Sequence, residues 1–199
     1  MKIALLNVLS KKEHKLVNGY QIAKNSVIHH EGDECTSIGI VVSGKIEIVS
    51  YSFEGKEMVL NILKPGDIFG NNLLFSSEPV YRGDVVAKDK SVVAFVNKEN
   101  LVYLLQNNQE FLELYLQTQS DFGKALNSRI QLLSFTNAEE RLLYYAKKNN
   151  GVIVYKNVTA LAATIGIQRE TLSRLLTNLV KRHQIKKEKG KITYLKKKR

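Results

Sequence analysis

The chain reads as an α+β protein: an N-terminal β-roll (a double-stranded β-helix), one long helix, and a C-terminal winged helix-turn-helix. Three observations predict this. Gly32, Gly44, Gly55 and Gly66 fall twelve, eleven and eleven residues apart, between short runs of alternating apolar residues that suit strands closed by polar turns. Residues 108–135 carry apolar positions in steps of four and three, a helical seam. Two short helical patterns then meet at Gly166 and lead into a hairpin with a glycine turn. The expected boundaries are residues 1–107 for the β-roll, 108–135 for the long helix and 136–199 for the winged module.

Taken in order, residues 1–25 are expected to be helical in part, opening with an amphipathic first helix. The apolar start is interrupted by Asn7 and lacks a small-x-small cleavage site, so it does not read as a secretion signal. No run approaches the ~18 apolar residues that span a bilayer, and a cytoplasmic, membrane-free protein is expected. Strands are then predicted at Ser37 to Val42, Lys45 to Ser50 and Lys56 to Leu63. The alternation of Ile46 with Ile48, and of Met58, Leu60 and Ile62, predicts a sheet with one buried face. In the long helix the seam is Leu112, Leu116, Gln119, Gly123, Leu126, Ile130 and Leu133, widened by Tyr115, Phe122 and Leu132. Gln119 and Gly123 are poor seam residues, so close backbone approach or a gap beside a ligand is expected there. Thr136-Asn137-Ala138-Glu139-Glu140 offers an N-cap and an acidic first turn for the next helix, Glu139 to Lys147, and marks the hinge.

The C-terminal module carries the chemistry. Leu161 and Ile165 lie one turn apart beside Ala162 and Ala163, with Thr159 as the expected N-cap. Gly166 suits the left-handed turn, Ile167 points inward, and a second helix starts near Gln168 or Arg169. In that helix Leu172, Leu175, Leu176 and Leu179 form one apolar stripe, while Glu170, Ser173, Arg174 and Thr177 repeat on the opposite side, with Arg169 beside Ser173. A polar face of this kind can enter the DNA major groove. Arginine pairs with guanine N7 and O6 and glutamate accepts from the cytosine amino group, so Arg169, Glu170 and Arg174 suit a G·C-containing half-site. An ordinary solvated face with an i, i+4 pair between Glu170 and Arg174 is the plainer alternative. A hairpin from Ile185 to Leu195, turning at Lys189-Gly190, forms the wing, and the chain ends Lys196-Lys197-Lys198-Arg199.

Charge separates the two halves. Residues 1–135 hold 14 basic and 15 acidic side chains, net −1, whereas residues 136–199 hold 16 basic and 4 acidic, net +12. Cations gathered on the helix-turn-helix module point to a polyanion, because lysine and arginine release counterions from a phosphate backbone. The single cysteine, Cys35, excludes an intrachain disulfide and an all-cysteine iron–sulfur cluster within one chain. Beside Glu34 its thiolate is disfavoured, although a redox role stays open. His29 and His30, if on a strand, point to opposite faces and cannot share a metal. His14 and His183 stand alone as well, and no metal site is expected.

Three segments carry a family resemblance: Gly39-Ile40-Val41-Val42-Ser43-Gly44-Lys45-Ile46-Glu47-Ile48, Gly55-Lys56-Glu57-Met58-Val59-Leu60, and Pro65-Gly66-Asp67-Ile68-Phe69-Gly70. In order and spacing they resemble the effector domain of the cyclic-AMP receptor/Fnr family of bacterial transcription regulators. Arg169-Glu170-Thr171-Leu172-Ser173-Arg174 is similar to that family's recognition helix, joining the Arg-Glu of one branch to the Glu-x-x-Ser-Arg of the other. The resemblance implies a homodimer formed along the long helix, double-stranded palindromic DNA as partner with G·C in each half-site, and RNA polymerase as a further partner. It also implies an effector pocket around Phe69, Gly70, Asn71, Tyr81 and Arg82. Family members that bind cyclic AMP carry Phe-Gly-Glu, then Arg before Ser or Thr. Here Asn71 stands in place of the glutamate, Tyr81 at the arginine position and Arg82 one residue on, which in an extended segment faces the other way. Cyclic AMP is therefore not the expected effector, no cofactor is expected, and an unidentified small-molecule effector is left open. The competing readings are a general nucleic-acid-binding protein and a cupin-like metalloenzyme. The first sits poorly with Glu170 on the reading face, and the second lacks a His-x-His motif.

Overall fold

The computed structural model describes residues 3–195; the basic tail Lys196 to Arg199 and the first two residues lie outside the described residues. The chain divides into two compact units, one ending at Asp121 and the other starting at Phe122. The division falls within the long helix.

The first unit is a β-roll of two four-stranded sheets whose paired strands are all antiparallel. One sheet orders β1 (Asn18–Ile22), β8 (Ser91–Asn97), β3 (Ser37–Ser43) and β6 (Ile68–Phe69). The other orders β2 (Val27–His29), β7 (Asp84–Ala87), β4 (Ile46–Tyr51) and β5 (Glu57–Leu63). Their inner faces meet in one core, Ile38, Ile40, Val93 and Val96 from the first sheet and Ile46, Val85 and Ala87 from the second. β-branched residues dominate because they pack well on a pleated, half-buried surface. Helix α2 (Lys98–Asn107) is capped by the Asn97 side chain, which accepts from the Asn100 amide at 2.8 Å. Helix α3 (Gln109–Ser134) is capped by Asn108, which accepts from the Phe111 amide at 2.9 Å and donates to the Val8 carbonyl at 3.1 Å.

One expectation for this unit is refined and one is corrected. Among the described residues up to 25, the helical part is one turn, α1 (Ala4–Asn7), and a 3-10 turn at Glu13–Leu16, followed by strand β1. The sequence conceals β1 because Asn18, Gly19, Tyr20 and Gln21 are exposed, so pairing with β8 rather than apolar alternation creates the strand. In β5, Met58, Leu60 and Ile62 are 44%, 55% and 45% exposed instead of buried. This strand is the sheet's edge, and no element of its own unit covers its alternating face.

The second unit contains the C-terminal half of α3, α4 (Ala138–Lys148), β9 (Val152–Val154), α5 (Val158–Ile165), α6 (Arg169–Lys181), β10 (Ile185–Glu188) and β11 (Lys191–Tyr194). The strands form an antiparallel sheet in the order β10-β11-β9. Leu142, Ala146, Ile153, Leu161, Ile165, Leu172, Leu176, Leu179, Ile185 and Ile192 make its core. A helix-turn-helix with a three-stranded wing results.

Candidate nucleic-acid interface

Gly166 sits at φ +69°, ψ +41°, the left-handed conformation in which its amide caps α5 by donating to the Ala162 and Ala163 carbonyls. A Cβ there would also come within 2.5 Å of the end of the Leu133 side chain, which would have to shift; the positive φ is what calls for glycine. The turn directs α6 so that Leu172, Leu176 and Leu179 are buried, with Leu175 half-buried beside them. The opposite face, Arg169, Glu170, Ser173, Arg174 and Thr177, is exposed. Glu170 pairs with Arg169 at 3.7 Å rather than with Arg174, and Arg174 has no ion pair among the described residues. Thr177 Oγ1 donates to the Ser173 carbonyl at 3.0 Å, which turns its methyl group outward along the helix.

Beside the start of α6 lies a groove of about 570 Å³ lined by Lys156, Asn157, Thr159, Arg169, Lys187 and Lys189 among others. Four cations, with Glu188 among them, surround the N-terminal turn of α5, an arrangement that suits an anion because the helix dipole adds to the side-chain charge. Thr159 is exposed in this groove but is not the N-cap. Asn157 takes that role, its side chain accepting from the Ala160 amide at 2.8 Å, because its extended backbone precedes the first helical residue. The groove lysines are not evident from sequence, since Lys156 and Lys187 are thirty-one residues apart and meet only through pairing of the wing strands.

Residues 21–108 match the family model of the cyclic nucleotide-binding domain. The anaerobic regulatory protein of Bacillus subtilis is 26% identical over 184 residues, covering 86% of this chain and 77% of that one. The cAMP-activated global transcriptional regulator CRP of Pasteurella multocida is 25% identical over 177 residues, covering 83% and 84%. The chain is a homologue of the Crp-Fnr transcription regulators. Among solved structures, a CooA mutant from Carboxydothermus hydrogenoformans superposes with a TM-score of 0.70 over 98% of this chain and 91% of that one, at 18% identity, a likeness of fold.

Against the Crp-Fnr pattern, the interior of the roll is occupied by its own side chains. Phe69 and Tyr81 are buried, and the Tyr81 ring stacks on His29 with centroids 4.3 Å apart and planes at 12°. Phe69 and Phe95 meet His29 edge-on. His29 Nε2 is buried with no hydrogen-bond partner among the described residues, and the Tyr81 hydroxyl lies buried beside the Cys35 thiol; burial pushes the Tyr81 phenol upward from its ordinary value. Gly70, at φ +76°, is hemmed in: a Cβ would meet the Ser37 carbonyl at 2.8 Å, the Cys35 sulfur at 3.1 Å and the Tyr81 hydroxyl at 3.3 Å. Cys35 is itself buried, and it is that burial, not its neighbour Glu34, which raises its thiol pKa. Asn71 is buried and donates to Gln119 Oε1 at 2.5 Å, while Gln119 Nε2 donates to the Tyr115 hydroxyl at 3.0 Å and to the Asn71 carbonyl at 3.2 Å. Arg82 is a correction: it is not a pocket residue but an exposed one, held by Glu78 at 2.5 Å, where the chain bends at Arg82 and Gly83 before β7. His30 likewise turns out toward Asp84, at 3.7 Å, opposite to His29.

The seam residues of α3 separate into two groups. Leu116, Leu126, Ile130 and Leu133 are exposed, at 54%, 51%, 58% and 41%, and Phe122 joins them at 37%. Leu112 and Gly123 are half-buried, and nothing lies within 4 Å of a Cβ built on Gly123. Gln119, expected to be a poor seam residue, is half-buried and bonded to Asn71 of its own roll. Tyr115 and Leu132, expected to widen the seam, are buried within the chain.

Proposed function

We propose that this chain is a dimeric, sequence-specific DNA-binding transcription regulator acting in the cytoplasm, where the DNA is. The observation that carries the reading is the exposed face of Arg169, Glu170, Ser173 and Arg174, set over the buried Leu172, Leu176 and Leu179 and flanked by a four-cation groove. The face reads base edges and the groove seats backbone phosphates, so the two together separate specificity from affinity. A two-fold dimer along α3 presents two such faces and a palindromic operator follows from that symmetry. Selection from random duplexes tests the reading: a palindrome with G·C in each half should emerge. On that operator Arg174→Ala should lose about 1–3 kcal/mol at one G·C pair, with random DNA bound as before. Equal loss on both duplexes refutes the assignment of Arg174.

We further infer that the roll does not take cyclic AMP. Tyr81 fills the arginine position, Asn71 is committed to Gln119, and Arg82 is engaged on the surface. Without a cation the cyclic phosphate would be buried unpaired. Millimolar cyclic AMP should leave the melting temperature unchanged, whereas a ligand bound only by the folded state raises it.

A further inference from the structure

Two arginines hold the turn of the helix-turn-helix from outside it. Arg129, on α3, donates from Nη1 to the Thr164 carbonyl and from Nη2 to the Ala163 carbonyl at 3.3 Å. Arg141, on α4, donates from Nη1 to the Gly166 carbonyl and from Nε to the Phe135 carbonyl, both at 2.6 Å, and from Nη2 to the Leu133 carbonyl at 3.1 Å. All five acceptors lie at or just beyond the C-terminal ends of α5 and α3, where carbonyls lack intrahelical partners and the helix dipole is negative. A guanidinium is a planar fork of five donors, so one side chain can bind three carbonyls that an ammonium could not span together. The end of α3, the first turn of α4 and the α5–α6 turn therefore share one pair of cations. The same side is laced further by Tyr144, whose hydroxyl donates to Gln131 Oε1 at 2.6 Å, and by Lys148, whose Nζ donates to Ser128 Oγ at 3.3 Å.

We propose that Arg129 and Arg141 are positioning residues for DNA recognition, locking the C-terminal half of α3, α4 and the recognition helix into one block that fixes the spacing at which paired recognition helices engage DNA. This rests on the dimeric DNA-reading function argued above. The guanidinium groups are engaged with main-chain carbonyls, so their effect on DNA is indirect. The junction at residues 135–137, which in sequence looks like the joint, is bridged by Arg141. A rotation of α3 is thereby delivered to α6 instead of being dissipated in the connection.

The test begins with the operator that the wild-type protein selects from random duplexes. Affinities of wild type, Arg129→Ala, Arg129→Lys and Arg141→Lys are measured on that operator, on versions with the spacer one or two base pairs longer or shorter, and on a single half-site. Arg129→Ala and Arg141→Lys should bind the half-site within about twofold of wild type, while discrimination among spacers falls roughly tenfold, as removal of a charge-assisted hydrogen bond implies. Arg129→Lys, which keeps the charge but not the fork, should fail to restore the discrimination. An unchanged spacer profile in the variants overturns the proposal, and so does an equal loss on the half-site and on every spacer, which marks a weakened fold. If Arg141→Lys does not fold, Arg129→Ala decides alone, because its side chain reaches the turn from the exposed surface. Failure of the wild-type protein to select any operator removes the DNA-reading function itself, before either arginine is changed.

Discussion

At Tyr81 an aromatic ring stands where the family resemblance implies a cation, and it packs among other rings. The ring stacks on His29, and burial lowers the His29 pKa, only partly offset by the charge of Asp33. The unfolded chain protonates this histidine near its ordinary value of 6.5, whereas the folded chain resists until lower pH. Between those two values the unfolded state binds more protons, so stability falls as pH drops through 6.5 and levels off below the folded pKa. Chemical denaturation from pH 7.5 to 5.5 should show this loss, and His29→Phe, which keeps the stacking, should flatten it. An unaltered slope in the variant would assign the dependence elsewhere. The one-residue offset that puts Tyr81, and not Arg82, at the family's arginine position could be read from the sequence. The His29 stack could not, because nothing in the string of letters says which distant strand residue lies across the roll.

Helix α3 shows what periodicity does and does not reveal at the scale of one element. Steps of four and three marked a face, yet Tyr115 and Leu132 on its flank are buried in the chain and Gln119 is bonded to Asn71. The pattern reports that side chains share a side of the helix; it does not report whether the cover comes from the same chain or another. Leu116, Leu126 and Ile130, each more than half exposed, still lack cover. Leu126→Glu with Ile130→Glu should therefore leave the fold of each protomer intact and convert a dimer to monomer, because a coiled-coil seam does not accept paired carboxylates. Sedimentation equilibrium reads the mass and circular dichroism the helix content. A dimer that survives the double change must be held by other surfaces. β5 makes the same point from the sheet side, its alternation real but its face uncovered, because a period of two says only that successive side chains diverge.

Over the whole molecule the charge is divided as the functions are, near neutrality for the roll and strongly basic for the winged module. That division was legible before any coordinates, as were the leucine stripe of α6, the Gly166 turn and the wing, since each is a local pattern. The groove was not, because it assembles Lys156, Arg169, Lys187 and Lys189 from three separate elements. Its charges imply a defined salt response. Depriving one phosphate of its cationic partner should reduce the slope of log K against log salt by about 0.9. Lys187→Gln with Lys189→Gln should thus flatten that slope by about 2 and weaken operator and random duplex alike, because phosphates carry no sequence information. Arg174→Ala, by contrast, should leave the slope nearly unchanged and narrow the gap between operator and random duplex. Titrations from about 50 to 200 mM salt on both duplexes distinguish the two responses. A double lysine variant with an unaltered slope would mean that the groove does not receive the backbone, and that the positive charge of this module acts through other residues.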